Sequence, residues 1–73
     1  MAEQPDEIKK LVAVALDMGL SSELRSKAAE LIGNINTHDA LLALLGLAAD
    51  DKLTKKEREL ALKHAREIIK AGH

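Results

Sequence analysis

Hydrophobic residues recur with helical spacing in four segments of the chain, which are separated by three short polar breaks. No segment alternates apolar and polar residues with a period of two, so the pattern predicts an all-α fold without a sheet. We expect helices over about residues 5–18, 22–34, 38–49 and 54–71, within a single domain spanning residues 1–73. The apolar positions that define the face of the first helix are Ile8, Leu11, Val12, Ala15 and Leu16.

Hydroxyl side chains stand where three of these helices should begin. Ser21 or Ser22 is suited to cap the second helix and Thr37 the third, because a hydroxyl oxygen can accept a hydrogen bond from a free backbone amide. Thr54 is followed three residues later by Glu57, the spacing of a capping box, in which two backbone donors are satisfied reciprocally. These residues fix the expected helix starts.

Glycines stand near the expected helix ends. We expect Gly19 to end the first helix as a left-handed cap, and Gly72 to follow the end of the fourth. Gly33 and Asn34 should end the second helix, with Ile35 folding back as a hydrophobic latch. The breaks between the helices are therefore predicted to be short.

The second and third helices differ in their apolar surface. The third helix has leucines almost all round its axis, which predicts a central element buried on most sides. Its side with the least bulk carries Ala43 and Gly46, where another helix could approach closely. The predicted buried face of the second helix consists of Leu24, Ala28, Leu31, Ile32 and Ile35.

The chain also contains an internal similarity. Residues 16–28 match residues 49–61 at an offset of 33, and residues 28–32 match residues 65–69 at an offset of 37. The matched pairs at the first offset are Asp17 with Asp50, Leu20 with Leu53, Ser21 with Thr54, Arg25 with Arg58 and Ala28 with Ala61. Helix-pair repeats of roughly this length are typical of α-solenoids.

Residues 25–45 carry a resemblance to a known family. Arg25-x-x-Ala28-Ala29-Glu30-x-Ile32-Gly33-x-Ile35, followed after a turn by Ala40-Leu41-x-Ala43-Leu44-Leu45, resembles a HEAT-like helical repeat. The resemblance implies four antiparallel helices arranged as two stacked hairpins. The sequence departs from the family pattern at Lys70, which stands where the second unit should have its glycine. A generic four-helix bundle is the alternative, since bundles also place alanine where helices cross.

Composition restricts the class of protein further. Apolar residues make up 47% and charged residues 32% of the chain, the balance of a folded helical protein. There is no cysteine, hence no disulfide or thiolate metal site, which fits a cytoplasmic location. There is also no aromatic residue on which single-stranded nucleic acid could stack.

We expect no association with membranes. The longest apolar stretch, residues 40–49, is too short to span a bilayer. No basic segment followed by an apolar one opens the chain, so we expect no signal peptide.

Charge is distributed unevenly along the chain. Residues 1–51 contain four basic and nine acidic residues, whereas residues 52–73 contain seven basic and three acidic ones. On the fourth helix, Lys56, Lys63, Arg66 and Lys70 project to one side, with Glu59 and Glu67 on the same face. This face could contact phosphates or an acidic protein.

Candidate chemistry is sparse. His38 and His64 lack the spacing of metal ligands on one helix. Asp50 and Asp51 lack the twelve-residue ligand pattern and central glycine of a calcium loop. We therefore expect no enzyme, no cofactor, no metal site and no small-molecule substrate.

The apolar arc of the fourth helix is wide, and the third helix has more leucine than four helices can easily cover. We therefore predict a non-enzymatic protein–protein interaction module that self-associates through the apolar surface of its third and fourth helices. Two alternatives stay open: a nucleic-acid-binding module that uses the basic face of the fourth helix, and an engineered or designed helical protein without a cellular role. The predicted partner-binding residues are Leu60, Leu62, Lys63, Arg66, Ile69 and Lys70.

Overall fold

The computed structural model describes residues 3–72, and the side chains of residues 6–72. It contains four helices, α1 (Glu3–Ala15), α2 (Ser22–Ile35), α3 (His38–Ala48) and α4 (Lys55–Lys70). There is no strand between residues 3 and 72, so the predicted all-α class is confirmed. Every predicted helix is present, with each boundary within about three residues of its expected position.

The helices pack as two pairs of consecutive elements. Packing is most extensive between α1 and α2 and between α3 and α4. The two pairs meet where α2 packs against α4 and α3, and where α1 packs against α3; over the described residues, α1 and α4 are not in contact. The central position predicted for α3 is therefore shared with α2, because each of them contacts the other three helices.

The core is entirely aliphatic, as the lack of aromatic residues requires. Ala28 and Ala29 of α2 and Ala61 and Ala65 of α4 are buried in the same cluster, and Ala29 and Ala61 line one small cavity together. Small side chains at these positions let the helix axes approach closely. The largest fully buried side chains are Ile32, Leu44, Leu47 and Ile68.

The three hydroxyl caps are found where the sequence predicted them. Ser21 Oγ accepts a hydrogen bond from the backbone amide of Leu24 at 3.2 Å, and Thr37 caps α3 in the same way. At the start of α4, Thr54 Oγ1 accepts from the amide of Glu57 at 3.1 Å, and the Glu57 carboxylate accepts from the amide of Thr54 at 3.0 Å. The predicted capping box is therefore confirmed.

The prediction that Gly19 ends the first helix as a left-handed cap is wrong. Helix α1 ends at Ala15, and Gly19 does not have a positive φ. Instead, the Asp17 carboxylate accepts a hydrogen bond from the amide of Gly19 at 2.9 Å. An aspartate that bonds to the backbone in this way competes with helix formation, which explains the earlier end.

The predicted end of the second helix at Gly33 and Asn34 is also wrong. Helix α2 continues to Ile35, and Asn36 forms the left-handed cap with a φ of 57°. Gly33 lies inside the helix, where a Cβ atom would come within 3.1 Å of His64 Cβ on α4. The glycine therefore serves close packing of α2 on α4.

Two predictions about buried faces are corrected as well. Leu24 and Leu31 belong to the predicted buried face of α2, yet they are 53% and 42% exposed. Gly46, predicted to receive a closely packed helix, has no atom within 4 Å of its would-be Cβ. Periodicity identifies an apolar arc, but only the part of the arc that meets a neighbouring helix is covered.

The connections within the two pairs have the same local structure. Asp17 and Asp50 each accept a hydrogen bond at 2.9 Å from the amide two residues later. Their carbonyl oxygens accept from the amide three residues later, at 3.0 Å and 3.2 Å. Ser21 and Thr54 follow as the caps of α2 and α4. The similarity at an offset of 33 residues is therefore also a similarity of backbone structure.

The two helical glycines provide a stability test. Gly46→Ala should raise the free energy of unfolding by about 0.5–1 kcal/mol, because alanine favours helix and meets open space there. The free energy of unfolding of Gly33→Ala should be at least about 1 kcal/mol lower than that of Gly46→Ala, since the new methyl group presses on the Cβ atom of His64. Urea unfolding followed by far-ultraviolet circular dichroism measures both; equal gains would show that α2 and α4 are not closely packed at Gly33.

Candidate interaction surface

Large aliphatic side chains are exposed on α3 and α4. Leu42 and Leu45 of α3 are 54% and 40% exposed, and Leu62 and Ile69 of α4 are 39% and 55% exposed. We call these four residues the α3–α4 surface. Isolated exposed leucines are common, but several large aliphatic side chains on two packed helices are typical of a contact surface.

A shallow groove runs between α3 and α4 at this surface. Leu62 and Ala48 form its apolar part, and its volume is about 220 Å³. Lys55, Arg58 and Glu59 line its edge. Arg58 lies 3.7 Å from the fully exposed carboxylate of Asp51, a distance and exposure at which an ion pair contributes little. The groove therefore combines an apolar floor with a mainly cationic edge.

The three predicted cations lie together. Lys63, Arg66 and Lys70 are all exposed, and they line a cleft of about 330 Å³ on the outward side of α4. Glu67 lies in the same cleft and adds one negative charge to it. This cationic side adjoins the α3–α4 surface, because Arg66 follows Leu62 by four residues and precedes Ile69 by three.

Leu60 lies apart from the other predicted apolar residues. It is half-buried and lines an open cleft of about 580 Å³ between α2 and α4, together with Leu24 and His64. At 100° per residue, Leu60 and Leu62 point in directions about 160° apart around the axis of α4. The six predicted residues therefore occupy two sides of α4, with Leu62 and Ile69 on one and Leu60 on the other.

Leu42 and Leu45 were absent from the predicted set. Their sequence signal was the leucine on all sides of the third helix, which predicted burial rather than exposure. The structure buries one face of the helix, at Ala40, Leu41, Leu44 and Leu47, and leaves Leu42 and Leu45 exposed. A helix that is apolar on every side cannot be covered completely by three neighbouring helices. This was the signal in the sequence that could have indicated the exposure of Leu42 and Leu45.

Glu57 is the one buried charged residue among those described, with a side-chain exposure of 6%. Its Oε2 accepts a hydrogen bond from Arg25 Nη2 at 2.8 Å and another from the hydroxyl of Ser22. Its Oε1 accepts from the backbone amide of Thr54 at 3.0 Å. Arg25 Nη1 in turn donates to the carbonyl oxygen of Leu20 at 2.6 Å, so the cluster joins α4 to the start of α2.

Burial raises the pKa of Glu57, but the hydrogen bonds from Ser22, Thr54 and Arg25 and the charge of Arg25 outweigh it and lower the pKa to about 2. The carboxylate is therefore ionised at neutral pH. Both of its oxygens are already occupied by donors within the protein. This arrangement suits a structural anchor better than a general acid or base, which needs a pKa close to the working pH.

His38 and His64 lie on different helices, and no hydrogen bond joins them. His38 is exposed in the first turn of α3, and His64 lies between α2 and α4 with its Nδ1 atom 3.4 Å from Glu67 Oε1. Among the side chains of residues 6–72, no three of His, Cys, Asp or Glu come together as a metal site would require. No helix in this part of the chain has the length and apolar character needed to cross a membrane.

Comparisons of the chain with protein-family models, with curated proteins and with solved structures find no match. Functional proposals for this chain therefore rest on the placement of its own residues.

The low pKa of Glu57 makes stability depend on pH. The ordinary pKa of 4.5 applies in the unfolded chain, where the carboxylate binds protons more readily than in the folded protein. The stabilisation is thus fully present above about pH 4.5 and is lost as the pH falls towards about 2, by about 3 kcal/mol in all. Urea unfolding measured at intervals across this pH range gives the slope.

Two variants assign that slope to one residue. Glu57→Gln should remove most of it and cost about 3 kcal/mol at neutral pH, because the Arg25 guanidinium loses its buried counter-charge. Glu59→Gln, at an exposed site on the same helix, should leave the slope unchanged. An unaltered slope in Glu57→Gln would contradict the role given to this carboxylate.

Proposed function

We propose that the protein is a non-enzymatic protein–protein interaction module that self-associates through the α3–α4 surface. The observation that carries the proposal is the exposure of Leu42, Leu45, Leu62 and Ile69 on two helices that pack against each other. Removing such side chains from water is favourable by roughly 25 cal/mol per Å² of apolar area. Their cationic surroundings would remain at the edge of the contact, in water.

Self-association also suits a chain of this size. A domain of 73 residues buries a modest share of its surface and is marginally stable alone. Contact between folded copies stabilises them, because association that requires the folded state shifts the folding equilibrium by mass action. A contact between copies through the aliphatic surface would therefore add to the stability that the small core provides.

We further propose that the two helix pairs are two HEAT-like units stacked on each other. Support comes from the equal hydrogen-bond patterns at Asp17 and Asp50, and from the equivalent caps at Ser21 and Thr54. The pairing of consecutive helices and the contact of α2 with α4 and of α1 with α3 agree with this arrangement. A generic four-helix bundle does not require its two connections to be alike.

Nucleic-acid binding is the second candidate function. It is favoured by the shared cleft of Lys63, Arg66 and Lys70, whose charges could contact phosphates. Reversing all three charges should then abolish binding to a duplex, and binding of the unaltered protein should fall steeply as salt is raised. Electrophoretic mobility shifts at two salt concentrations measure this binding. Binding that does not change with salt, or that persists after the charge reversals, would rule out nucleic-acid binding through the cations of α4.

The self-association proposal predicts the effect of one substitution. Leu62→Glu should weaken association at least about tenfold while leaving helical content unchanged, because apolar contact area is lost and a carboxylate must be taken out of water in its place. The measurement is sedimentation equilibrium over a hundredfold range of concentration, with interference optics because the chain has no Trp or Tyr. Circular dichroism of the same samples reports folding.

Lys56→Gln is the matched control. It changes the net charge by the same one unit on the same helix, at an exposed site outside the α3–α4 surface. It should assemble like the unaltered protein. A monomer at every concentration in the unaltered protein would refute self-association, and loss of helicity in Leu62→Glu would instead place Leu62 in the core.

A further inference from the structure

We propose that copies of the chain stack end to end, so that the α3–α4 surface of one copy covers the outer side of α1 and α2 of the next. The inference rests on the self-association proposed above. It adds that the α3–α4 surface of one copy contacts α1 and α2 of another copy. It follows from comparing the burial of equivalent positions in the two helix pairs.

Equivalent positions are those 33 residues apart. The shared hydrogen-bond pattern of the two connections, at Asp17 and Asp50, establishes this offset in the structure. Ala28 and Ala61, at the same offset, are both buried in the core. Extending the offset along the helices pairs positions whose burial is reversed between the two pairs, and the reversal is systematic.

One set of positions is exposed in the first pair and covered in the second. Val14 and Leu31 are exposed, whereas their counterparts Leu47 and His64 are buried and half-buried. Leu47 is covered by the first pair, since it lies beside Ala15 at the junction of the pairs. His64 is covered by α2, which approaches it at Gly33. In the first pair, nothing among the described residues covers this side.

Another set shows the opposite reversal. Ala29 is buried and Val12 half-buried, whereas their counterparts Leu62 and Leu45 are exposed. Ala29 is covered by the second pair, because it lies beside Leu47 and Ala61 at the junction. In the second pair, nothing among the described residues covers this side, and Leu45 and Leu62 are two of the four residues of the α3–α4 surface.

The two uncovered sides are thus equivalent to the two sides that pack together at the junction inside the chain. Within one copy, the following side of the first pair packs on the preceding side of the second. The surfaces left open are the preceding side of the first pair and the following side of the second. A second copy presents the missing partner to each of them, so the junction inside the chain can be repeated between chains.

The outer side of α1 and α2 is built to receive an apolar surface. Leu11, Leu31 and Ile35 line an open groove of about 360 Å³ between the two helices. Glu7 and Lys10 stand at its edge. It matches the groove at Leu62 in having an aliphatic floor and charged edges.

Charge favours opposite ends over like ends. The Arg25–Glu57 pair neutralises itself across the junction. Without that pair, residues 1–35 contain six acidic and three basic residues, and residues 36–73 contain five acidic and seven basic ones. A contact between two α3–α4 surfaces would bring two cationic halves together, whereas an end-to-end contact joins an anionic half to a cationic one.

The available area is sufficient. The accessible surface of the chain is 4758 Å², and a stable contact of standard size takes about 800 Å² from each partner. Two such contacts, one at each end, would use about a third of the surface. Because the two contacting surfaces differ, the contact is heterologous, and assembly continues beyond a dimer unless the arrangement closes into a ring.

The test uses two substitutions, one at each end. Leu31→Glu blocks the outer side of α1 and α2, and Leu62→Glu blocks the α3–α4 surface; both sites are partly exposed, so folding should survive. Every end-to-end contact needs one free surface of each kind. Each variant alone should therefore lose association at least about tenfold, while an equimolar mixture should form a dimer and nothing larger.

Sedimentation equilibrium provides the readout. The unaltered protein should show an average mass that rises past that of a dimer with concentration. Adding the double variant Leu31→Glu/Leu62→Glu to either single variant should give no dimer, which makes it the matched control. If circular dichroism shows that a single variant fails to fold, Leu24→Glu and Ile69→Glu replace the pair, because these two positions are more exposed than Leu31 and Leu62.

Three outcomes would overturn the inference. If Leu31→Glu assembles normally, Leu62→Glu is monomeric and the mixture shows no gain, two α3–α4 surfaces contact each other, and self-association stands without end-to-end stacking. If both variants assemble normally, neither surface is used. If the unaltered protein is monomeric throughout, the proposed function fails together with the inference.

Discussion

The hydrogen-bonded ion pair between Arg25 and Glu57 is the contact on which the arrangement of the two helix pairs depends. Glu57 lies in the first turn of α4, and its carboxylate also completes the capping box with Thr54. Arg25 lies in the first turn of α2 and reaches back to the carbonyl of Leu20 in the preceding connection. A single carboxylate therefore fixes the beginning of α4 against both the beginning of α2 and the end of the α1–α2 connection.

Such an anchor matters because the rest of the core has no directional groups. Leucine, isoleucine and alanine can pack in several registers at similar free energy, and cores of the right volume tolerate rearrangement. A buried ion pair does not tolerate such rearrangement, since a shift that separates Arg25 from Glu57 leaves both side chains desolvated without a partner. We infer that the pair contributes more to a unique arrangement of the helices than to the net free energy of folding.

The sequence predicted the features that depend on neighbouring residues and misplaced those that depend on distant ones. The caps at Ser21, Thr37 and Thr54 were predictable because each bonds to an amide within three residues. Gly33 was misread as a helix end because its reason lies on another helix, at His64. The same limit applies to Glu57, whose capping role was visible locally and whose partner Arg25, 32 residues away, was not.

The exposure of Leu24 and Leu31 on α2, and of Leu42 and Leu45 on α3, was hidden from the sequence for a further reason. Amphipathic periodicity separates apolar from polar positions, but it treats every apolar position as covered. Leu31 satisfies the pattern as well as Ile32 does, and only the arrangement of the helices shows that Leu31 is left open. A solenoid that ends in solvent needs polar outer faces on its terminal units. Here the outward side of α4 carries Lys63 and Lys70, while α2 and the α3–α4 surface keep exposed aliphatic side chains. The end-to-end contact proposed above would cover these aliphatic side chains.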